Sequence, residues 1–287
     1  MNFRTDLALE RCENIDKNSL GGIKMETLDE KGARITRIDI LNKEGEKTVG
    51  KPVGRYVTVE VAPFASQAQF IDDSLGAVAD EIRRIIPEKG SVLVAGLGNL
   101  KITPDALGPR CASMIFATRH ITGELLRSTG LSGLRCVSAV STGVTGETGA
   151  EAGEIIKGIV RTVKPDVVIT VDALAARNTD RLGTTIQMCN TGIVPGSGVG
   201  NARQEISEKT IGVPVVSIGV PTVVDAATLI MDCTGNEDTV SDKAKSMMVT
   251  PREVDLMIER AAKLTSLAIN CALQPDISPE DMLVLTS

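Results

Sequence analysis

Short apolar runs alternate with helical patterns along most of this chain, and this alternation constrains its fold more than any other feature. A short run of β-branched residues bounded by turn residues is typical of a strand buried on both faces. Strands and helices in alternation predict right-handed βαβ crossovers and a mainly parallel sheet. The runs predicted as strands are Ser91–Ala95, Cys136–Val140, Val167–Val171, Thr184–Met188 and Val213–Ile218.

The N-terminal part has a different pattern. Two β-rich runs, Ala33–Ile40 and Gly54–Val61, flank the polar segment Asn42–Glu46 and predict an antiparallel hairpin or edge pair. Residues 1–20 are polar and without clear periodicity, so we expect them to form a loose arm. The sequence therefore predicts one α/β domain, with a mainly parallel central sheet flanked by helices and an antiparallel hairpin added near the N-terminus.

Helices are predicted by apolar residues at helical spacing. The last helix has the clearest signal, because Thr250-Pro251-Arg252-Glu253 fits a capping box with proline at the first helical position. Its predicted buried stripe is Val254, Met257, Ile258, Ala261 and Leu264. The other predicted helices cover Gln67–Ile86, Gly149–Val163 and the run from Pro221 to Met231, and Gly235–Ser246 is the best candidate for a linker.

The composition excludes several classes of partner. The chain has 287 residues, a formal net charge of −6 and no long basic run, so it lacks the electrostatic footprint of a nucleic-acid-binding protein. Aromatic residues make up only 2% of the chain, which leaves no platform for base stacking. The apolar runs are too short or too interrupted by charges to span a bilayer. We therefore expect neither direct nucleic-acid binding nor a membrane partner.

The six cysteines are scattered, with no C-x-x-C motif and no histidine nearby. Buried free thiols are the simplest interpretation, and they fit a reducing compartment. The N-terminus shows no apolar segment of the kind found in signal peptides. These observations favour a cytoplasmic protein.

Two common types of hydrolase lack their signatures in this chain. The only histidine, His120, falls within a predicted crossover helix, and no G-x-S-x-G elbow accompanies it. No HExxH motif or cluster of histidine and cysteine ligands suggests zinc.

The glycine loops Gly96–Lys101 and Gly196–Gly200 do not have the spacing of dinucleotide-binding loops or of P-loops. We expect neither a metal nor any other cofactor.

Two aspartates remain as candidates for catalysis. Asp105 follows Thr103-Pro104 near a predicted helix start, and Asp172 follows the apolar run Val167–Val171. In an open α/β sheet, ligands bind beyond the carboxyl ends of the strands. Each aspartate also has a structural interpretation, Asp105 as an acid in the first turn of a helix and Asp172 as a capping residue or a partner of Arg177.

Four motifs in this order resemble the germination protease family of spore-forming bacteria. They are TPDALGP (103–109), VDALAAR (171–177), PGSGVGN (195–201) and GVPTVVDA (219–226). The resemblance extends from Arg4 to the helix after Pro251. It implies an aspartic-type endopeptidase whose fold is similar to that of hydrogenase maturation proteases. It also implies that Asp105 and Asp172 are the catalytic pair.

The resemblance has further implications for this chain. The substrates would be the small acid-soluble proteins of the forespore and spore core, whose degradation begins at germination. The enzyme would be a zymogen that cuts itself between Asp6 and Leu7, so that residues 1–6 form a propeptide and residues 7–287 the peptidase domain. Gly98, Asn99, Gly198 and Gly200 are predicted to admit a substrate backbone, because small residues permit close approach. We also expect a homo-oligomer, whose size the sequence leaves open.

A metal-dependent endopeptidase of the hydrogenase maturation type is the alternative hypothesis. Gly96-Leu97-Gly98-Asn99, followed by an acidic residue and glycine, and the later strand-end Asp172 resemble that family as well. Those enzymes need a later histidine as a metal ligand, and the sequence has none after His120. PGSGVGN and the long N-terminal segment also exceed the pattern of that smaller family.

Overall fold

The computed structural model describes residues 5–13, 15, 21–66, 71–121, 133–236 and 240–286. Within these ranges nine strands form one sheet, in the order β1-β2-β3-β7-β8-β6-β4-β5 with β9 added beside β8. The strands are β1 (Ile23–Glu30), β2 (Ala33–Ile40), β3 (Gly54–Glu60), β4 (Val92–Leu97), β5 (Val137–Gly143), β6 (Val167–Ala176), β7 (Thr185–Cys189), β8 (Val215–Asp225) and β9 (Met248–Val249).

The helices of the described ranges lie before, between and after these strands. The two amphipathic helices α3 and α6 each have a stripe of buried residues on one side, as their apolar spacing predicts. The helices are α1 (Ala8–Cys12), α2 (Lys43–Val49), α3 (Asp73–Ile85), α4 (Leu107–Ser113), α5 (Thr145–Thr148), α6 (Ala152–Val163), α7 (Glu208–Ile211), α8 (Ala226–Thr234), α9 (Val254–Leu273) and α10 (Pro279–Leu285).

The sheet has a parallel part and an antiparallel part. Strands β5, β4, β6 and β8 run parallel to one another, as the alternation of strands and helices predicts. The predicted pair of β-rich runs is present as β2 and β3, which are antiparallel. The antiparallel part is larger than a single hairpin, because β1 adds to β2, and β7 joins β3 to β8 in antiparallel orientation.

Helices cover the two faces of the sheet. On one face, α4 packs on β4 and β6, whose alternate residues Val92, Val94, Ile169 and Val171 share one core with α3 and α9. On the other face, Ile156 and Val160 of α6 pack on Leu93, Ala95 and Val168. Because successive strand residues point to opposite faces, β4 and β6 are buried on both sides. This explains why their sequences are continuous apolar runs.

Strand β8 continues through a segment that the sequence predicts as helix. It runs from Val215 to Asp225, and helix α8 begins only at Ala226, so the predicted helix start at Pro221 is wrong. Pro221 is accommodated because the register between β6 and β8 shifts just after its pair with Leu174. Proline within a sheet is tolerated at such irregularities, where its missing N–H does not interrupt the ladder.

The last long helix begins at Val254 rather than at Pro251, and it has no capping box. Residues Met248 and Val249 pair with the end of β8, and the Thr250 hydroxyl donates to the Thr222 carbonyl oxygen at 3.0 Å. Thr250, which the sequence predicts to cap the helix, is therefore bound to β8 instead. The predicted stripe is confirmed, since Met257, Ile258, Ala261 and Leu264 are buried and Val254 packs against the same core.

Two other predictions differ from the structure, and a third lies partly outside the described residues. Helix α3 begins at Asp73, where the Asp72 side chain caps it, and part of the predicted start at residues 67–70 lies outside the described residues. His120 lies in an exposed turn after α4 rather than in a helix. Part of the predicted linker Gly235–Ser246 also falls outside the described residues.

Candidate functional site

A cleft opens where β4 ends and β6 continues. The last pair between these strands is Gly96 with Val171, so Asp172 is the first residue of β6 without a β4 neighbour. Beyond this point β6 pairs only with β8, as far as Ala176. The cleft has a volume of about 550 Å³, and both candidate aspartates, Asp105 and Asp172, line it. The fold therefore brings together two side chains that are far apart in sequence.

Asp105 lies at the end of a short turn of 3₁₀ helix, Thr103–Asp105, that precedes α4. It does not cap α4, because its carboxylate accepts the backbone N–H of Asn99 at 2.7 Å. Partial burial and the nearby charge of Glu147 raise the pKa of Asp105, while the Asn99 hydrogen bond opposes this rise. The loop after β4 thus holds this carboxyl group half-buried at the rim of the cleft.

Asp172 occupies a more enclosed position. Its side chain is 5% exposed and accepts the N–H of Ala173 at 2.9 Å. Burial raises its pKa well above the ordinary value, and the charges of Asp105 and Asp6 raise it further. An acid that is buried beside other carboxylates keeps its proton at a pH where an exposed aspartate is ionised. The surroundings of Asp172 therefore favour its protonated form.

Glycine is required on the Asp105 side of the cleft. Gly98 has φ +111°, and a Cβ there would lie 2.1 Å from the carbonyl oxygen of Asp105. The loop after β4 can pass this close to the aspartate only without a side chain. Gly98 and Asn99 both line the cleft, so the structure places these two predicted residues beside Asp105.

The second glycine loop forms the opposite wall. A Cβ on Gly198 would lie 2.1 Å from a carboxylate oxygen of Asp6 and 2.7 Å from Cβ of Ala175. Gly200 instead ends the short helical turn Ser197–Val199 with φ +74°, and it is exposed. The cleft is lined by its neighbours Val199 and Asn201. Of the two predicted glycines in this loop, it is therefore Gly198 that lies against Asp6.

The expectation of a loose N-terminal arm is wrong for residues 5–13. This segment is docked on the sheet, with the side chain of Leu7 fully buried beside Leu174, Ala176 and Val224. The backbone N–H of Asp6 donates to the carbonyl oxygen of Ala175 at 2.9 Å. Asp6 also lines the cleft that contains Asp105 and Asp172. The buried apolar surface and the hydrogen bonds explain why this segment is ordered.

Glu10 anchors the docked segment. Its buried carboxylate accepts the backbone N–H groups of Arg177 at 2.8 Å and Asn178 at 2.9 Å, just after β6 ends. The Thr5 hydroxyl also donates to it. The Arg181 guanidinium lies 3.6 Å from Glu10 and forms shorter ion pairs with Glu13 and Glu60, at 2.6 and 3.0 Å. Burial of a carboxylate is costly unless hydrogen bonds and opposite charges replace its lost hydration, as they do here.

Gln187 of β7 holds the main chain of the docked segment on both sides of Leu7. Its Nε2 donates to the carbonyl oxygen of Asp6 at 3.0 Å, and its Oε1 accepts the N–H of Ala8 at 2.6 Å. Sequence reasoning did not find Gln187, because a glutamine inside a short strand carries no motif. Asp6 was predicted as a cleavage position, but its place in the cleft was not.

The remaining candidates for chemistry lie away from the cleft. Cys12, Cys111, Cys189 and Cys271 are buried free thiols as predicted, whereas Cys136 and Cys233 are exposed. Over the ranges that the structure describes, no three His, Cys, Asp or Glu side chains are grouped so that they could hold a metal ion. None of the helices in the same ranges is both long and apolar enough to cross a membrane.

Comparisons with known proteins identify similar chains. A family model described as germination protease matches residues 4–236. The germination protease of Caldanaerobacter subterraneus subsp. tengcongensis is 42% identical, over 98% of this chain and 97% of the relative. Those of Clostridium perfringens and Priestia megaterium are 39% and 35% identical, over 98% and 97% of this chain and 98% and 95% of the relatives.

A search of solved structures finds a more distant similarity. The [NiFe] hydrogenase maturation protease HycI from Thermococcus kodakarensis KOD1 aligns with a TM-score of 0.38 and 18% identity. The alignment covers 66% of this chain and 98% of that protein.

Proposed function

Because this chain belongs to the germination protease family and is therefore a peptidase, we propose that it cuts small acid-soluble spore proteins with an aspartate pair. The observation that carries the mechanism is the shared cleft, in which a buried Asp172 and a half-buried Asp105 both face the same space. Two carboxyl groups with such different environments are suited to opposite roles in acid–base chemistry.

The environments assign the roles within the proposal. Asp105 is the base, because it is more exposed and a backbone N–H favours its ionised form. It takes a proton from the water whose oxygen attacks the carbonyl carbon of the peptide. Asp172 is the acid, because burial and the neighbouring charges keep it protonated. Its proton passes to the departing nitrogen as the C–N bond breaks, and the two products carry a carboxylic acid and an amine.

The direct test is incubation of the chain with a purified small acid-soluble spore protein, followed by mass mapping of the products. We expect a small number of cuts, each after an acidic residue and before an apolar one. Asp172→Asn should yield no products, whereas Asp166→Asn should cut normally. Asp166 is a suitable control because it precedes the opposite end of the same strand and is bound to Ser91. Unchanged cutting by Asp172→Asn would refute the assignment.

We also propose that the chain removes its own residues 1–6 by cutting between Asp6 and Leu7. The order threonine, acid, aliphatic, alanine in Thr5–Ala8, with a second acid at Glu10, supports a site similar to that of the substrates. Asp6, on one side of this bond, lines the same cleft as Asp105 and Asp172, and Leu7, on the other side, is buried. Maturation should give a chain beginning at Leu7, and Asp172→Asn should block it if the cut is autocatalytic. N-terminal sequencing of protein from germinating spores that still begins at residue 1 or 2 would contradict this proposal.

Two further proposals concern the cellular location and the oligomeric state of the enzyme. We place it in the forespore and spore core, where its proposed substrates are found, and we expect it to act as a homo-oligomer. Light scattering coupled to gel filtration measures the molar mass in solution, and a mass equal to one chain would contradict the second expectation. Fractionation of sporulating cells followed by immunodetection tests the first.

A further inference from the structure

The segment Thr5–Ala8 is bound in the manner in which proteases bind peptides. Leu7 is extended, with φ −81° and ψ 123°, and its side chain fills an apolar pocket. The neighbouring Asp6 makes a main-chain hydrogen bond to Ala175 at the end of β6. Main-chain bonds to a strand, together with pockets for individual side chains, are the features of peptide recognition by strand addition.

A second observation concerns the carboxylate of Asp6. One of its oxygens accepts the N–H of Ala175 at 2.9 Å, and the other accepts the hydroxyl of Ser197 at 2.8 Å. The absence of a side chain at Gly198 makes room for this group. Two donors that converge on one carboxylate form charge-assisted hydrogen bonds, which are stronger than bonds between neutral groups. The loop Pro195–Asn201 and the end of β6 thus form a pocket whose shape and donors fit an acidic side chain.

Gln187 links this pocket to the aspartate pair. Gln187 pairs with Gly219 of β8, and Gly219 pairs with Asp172 of β6. Paired residues of neighbouring strands point to the same face of a sheet, so Gln187 and Asp172 lie on one face with a glycine between them. The amide of Gln187 holds the carbonyl oxygen of Asp6 and the N–H of Ala8. The peptide bond between Asp6 and Leu7 is therefore clamped over the same face of the sheet as Asp172.

We propose that the groove now holding Thr5–Ala8 is the substrate groove, in which Ser197 and the N–H of Ala175 bind the acidic residue before the cut. Gln187 holds the main chain on either side of the residue that follows. The inference rests on the proposed function and adds the residues that select the substrate. The N-terminal segment occupies the groove in cis, so a substrate has to displace it. Gln187 acts on every peptide through the backbone, whereas Ser197 acts only on an acidic side chain.

The test uses two peptides that contain Arg-Thr-Asp-Leu-Ala-Leu-Glu, the sequence of residues 4–10, or the same sequence with asparagine for aspartate. The full-length chain should cut the aspartate peptide with a kcat/KM about 10-fold higher than that for the asparagine peptide, a difference that corresponds to about 1.4 kcal/mol. Ser197→Ala should lower kcat/KM roughly 10-fold on the aspartate peptide, since a hydrogen bond to a charged group is lost. On the asparagine peptide the loss should be less than about 3-fold.

Two other variants distinguish a loss of preference for the acidic residue from a general loss of activity. Gln187→Glu keeps the size of the side chain but loses the donor to the substrate carbonyl, so it should lower kcat/KM on both peptides by the same factor, at least about 10-fold. Ser66→Ala removes an exposed hydroxyl bound to the carbonyl of Pro63 and should change neither value. Equal losses on both peptides in Ser197→Ala, or no loss on either, would overturn the inference. A wild-type chain that cuts neither peptides nor spore proteins would overturn the proposed function, and this inference with it.

Discussion

Asp105 and Asp172 share one cleft but differ in their surroundings, since only Asp172 is buried and surrounded by other carboxylates. The charge of Asp105 is one cause of the raised pKa of Asp172, after burial itself. A backbone N–H from Asn99 reaches Asp105 and favours its ionised form. This asymmetry is built by two different elements, the loop after β4 and the middle of β6, and it gives the proposed mechanism its acid and its base.

The first prediction concerns the catalytic pair. Asp105→Asn and Asp172→Asn should each lower proteolysis by at least about 10³-fold, because an amide of similar shape cannot exchange the proton. The rates are measured on a spore protein, with circular dichroism to confirm that each variant is folded. A variant that keeps more than about a tenth of the activity would exclude that aspartate from the chemistry.

The second prediction concerns stability and pH. Between the ordinary pKa of aspartate and the raised pKa of Asp172, the folded state holds one more proton than the unfolded state. The free energy of unfolding therefore falls as the pH rises through this window. Asp172→Asn has no such proton to lose, so at neutral pH it should melt above wild type, by roughly 2–4 °C for each kcal/mol gained.

Thermal unfolding between acidic and neutral pH measures this effect. Asp166→Asn is a control of opposite sign, because the N–H and hydroxyl of Ser91 lower the pKa of Asp166. Its contribution is present above the ordinary pKa and is lost as the pH falls. If wild type and Asp172→Asn showed the same pH dependence, Asp172 would not carry a raised pKa.

The third prediction concerns the loop that carries Asp105. Gly98→Ala should destabilise the protein by about 1–2 kcal/mol from backbone strain alone, because its φ is +111°. The new Cβ would also push against the Asp105 carbonyl, so we expect activity to fall as the carboxylate is displaced. Gly158→Ala in α6 meets no atom within 4 Å and should instead stabilise, by about 0.5–1 kcal/mol. Urea unfolding and peptide cleavage measure both effects, and normal activity in Gly98→Ala would show that the loop tolerates the displacement.

The fourth prediction concerns the anchor of the N-terminal segment. Arg181→Met removes the cation that lies among Glu10, Glu13 and Glu60 and leaves a buried carboxylate without it. Loss of one partner of a buried ion pair costs about 3–5 kcal/mol. We expect reduced stability in urea and faster hydrogen exchange at residues 5–13. Arg55→Met breaks a more exposed pair with Asp39 and should cost about 0–1 kcal/mol. Unchanged exchange in Arg181→Met would show that the segment is held without the help of this cation.

The fifth prediction concerns reagents. Proteolysis should be insensitive to EDTA and to serine or cysteine modifiers, because the proposed mechanism uses neither a metal nor a covalent nucleophile. The measurement is the rate of cutting of a spore protein after dialysis against chelator. Inhibition that nickel or zinc reverses would instead favour the metal-dependent alternative.

The sequence predicts β4 and β6 well because burial on both faces leaves continuous apolar runs, whereas only the first part of β8 is predicted as a strand. It also singles out Asp172 directly after such a run and Asp105 within a motif, but only the fold shows that both line one cleft. It does not reveal that Asp6 lies against Ala175, because that contact joins residues 169 positions apart and depends on the finished fold. The start of α9 was missed for a similar reason, as Met248 and Val249 pair with a strand that is remote in sequence.

One edge of the sheet limits how copies of this chain can associate. The outermost strand β1 is paired only with β2 and is mostly exposed, and it carries the charged residues Lys24, Glu26, Asp29 and Glu30. Charges of this kind on an edge strand oppose the addition of a strand from another molecule, which would have to desolvate them. We therefore expect copies of the chain not to associate by strand addition at β1, even at high concentration.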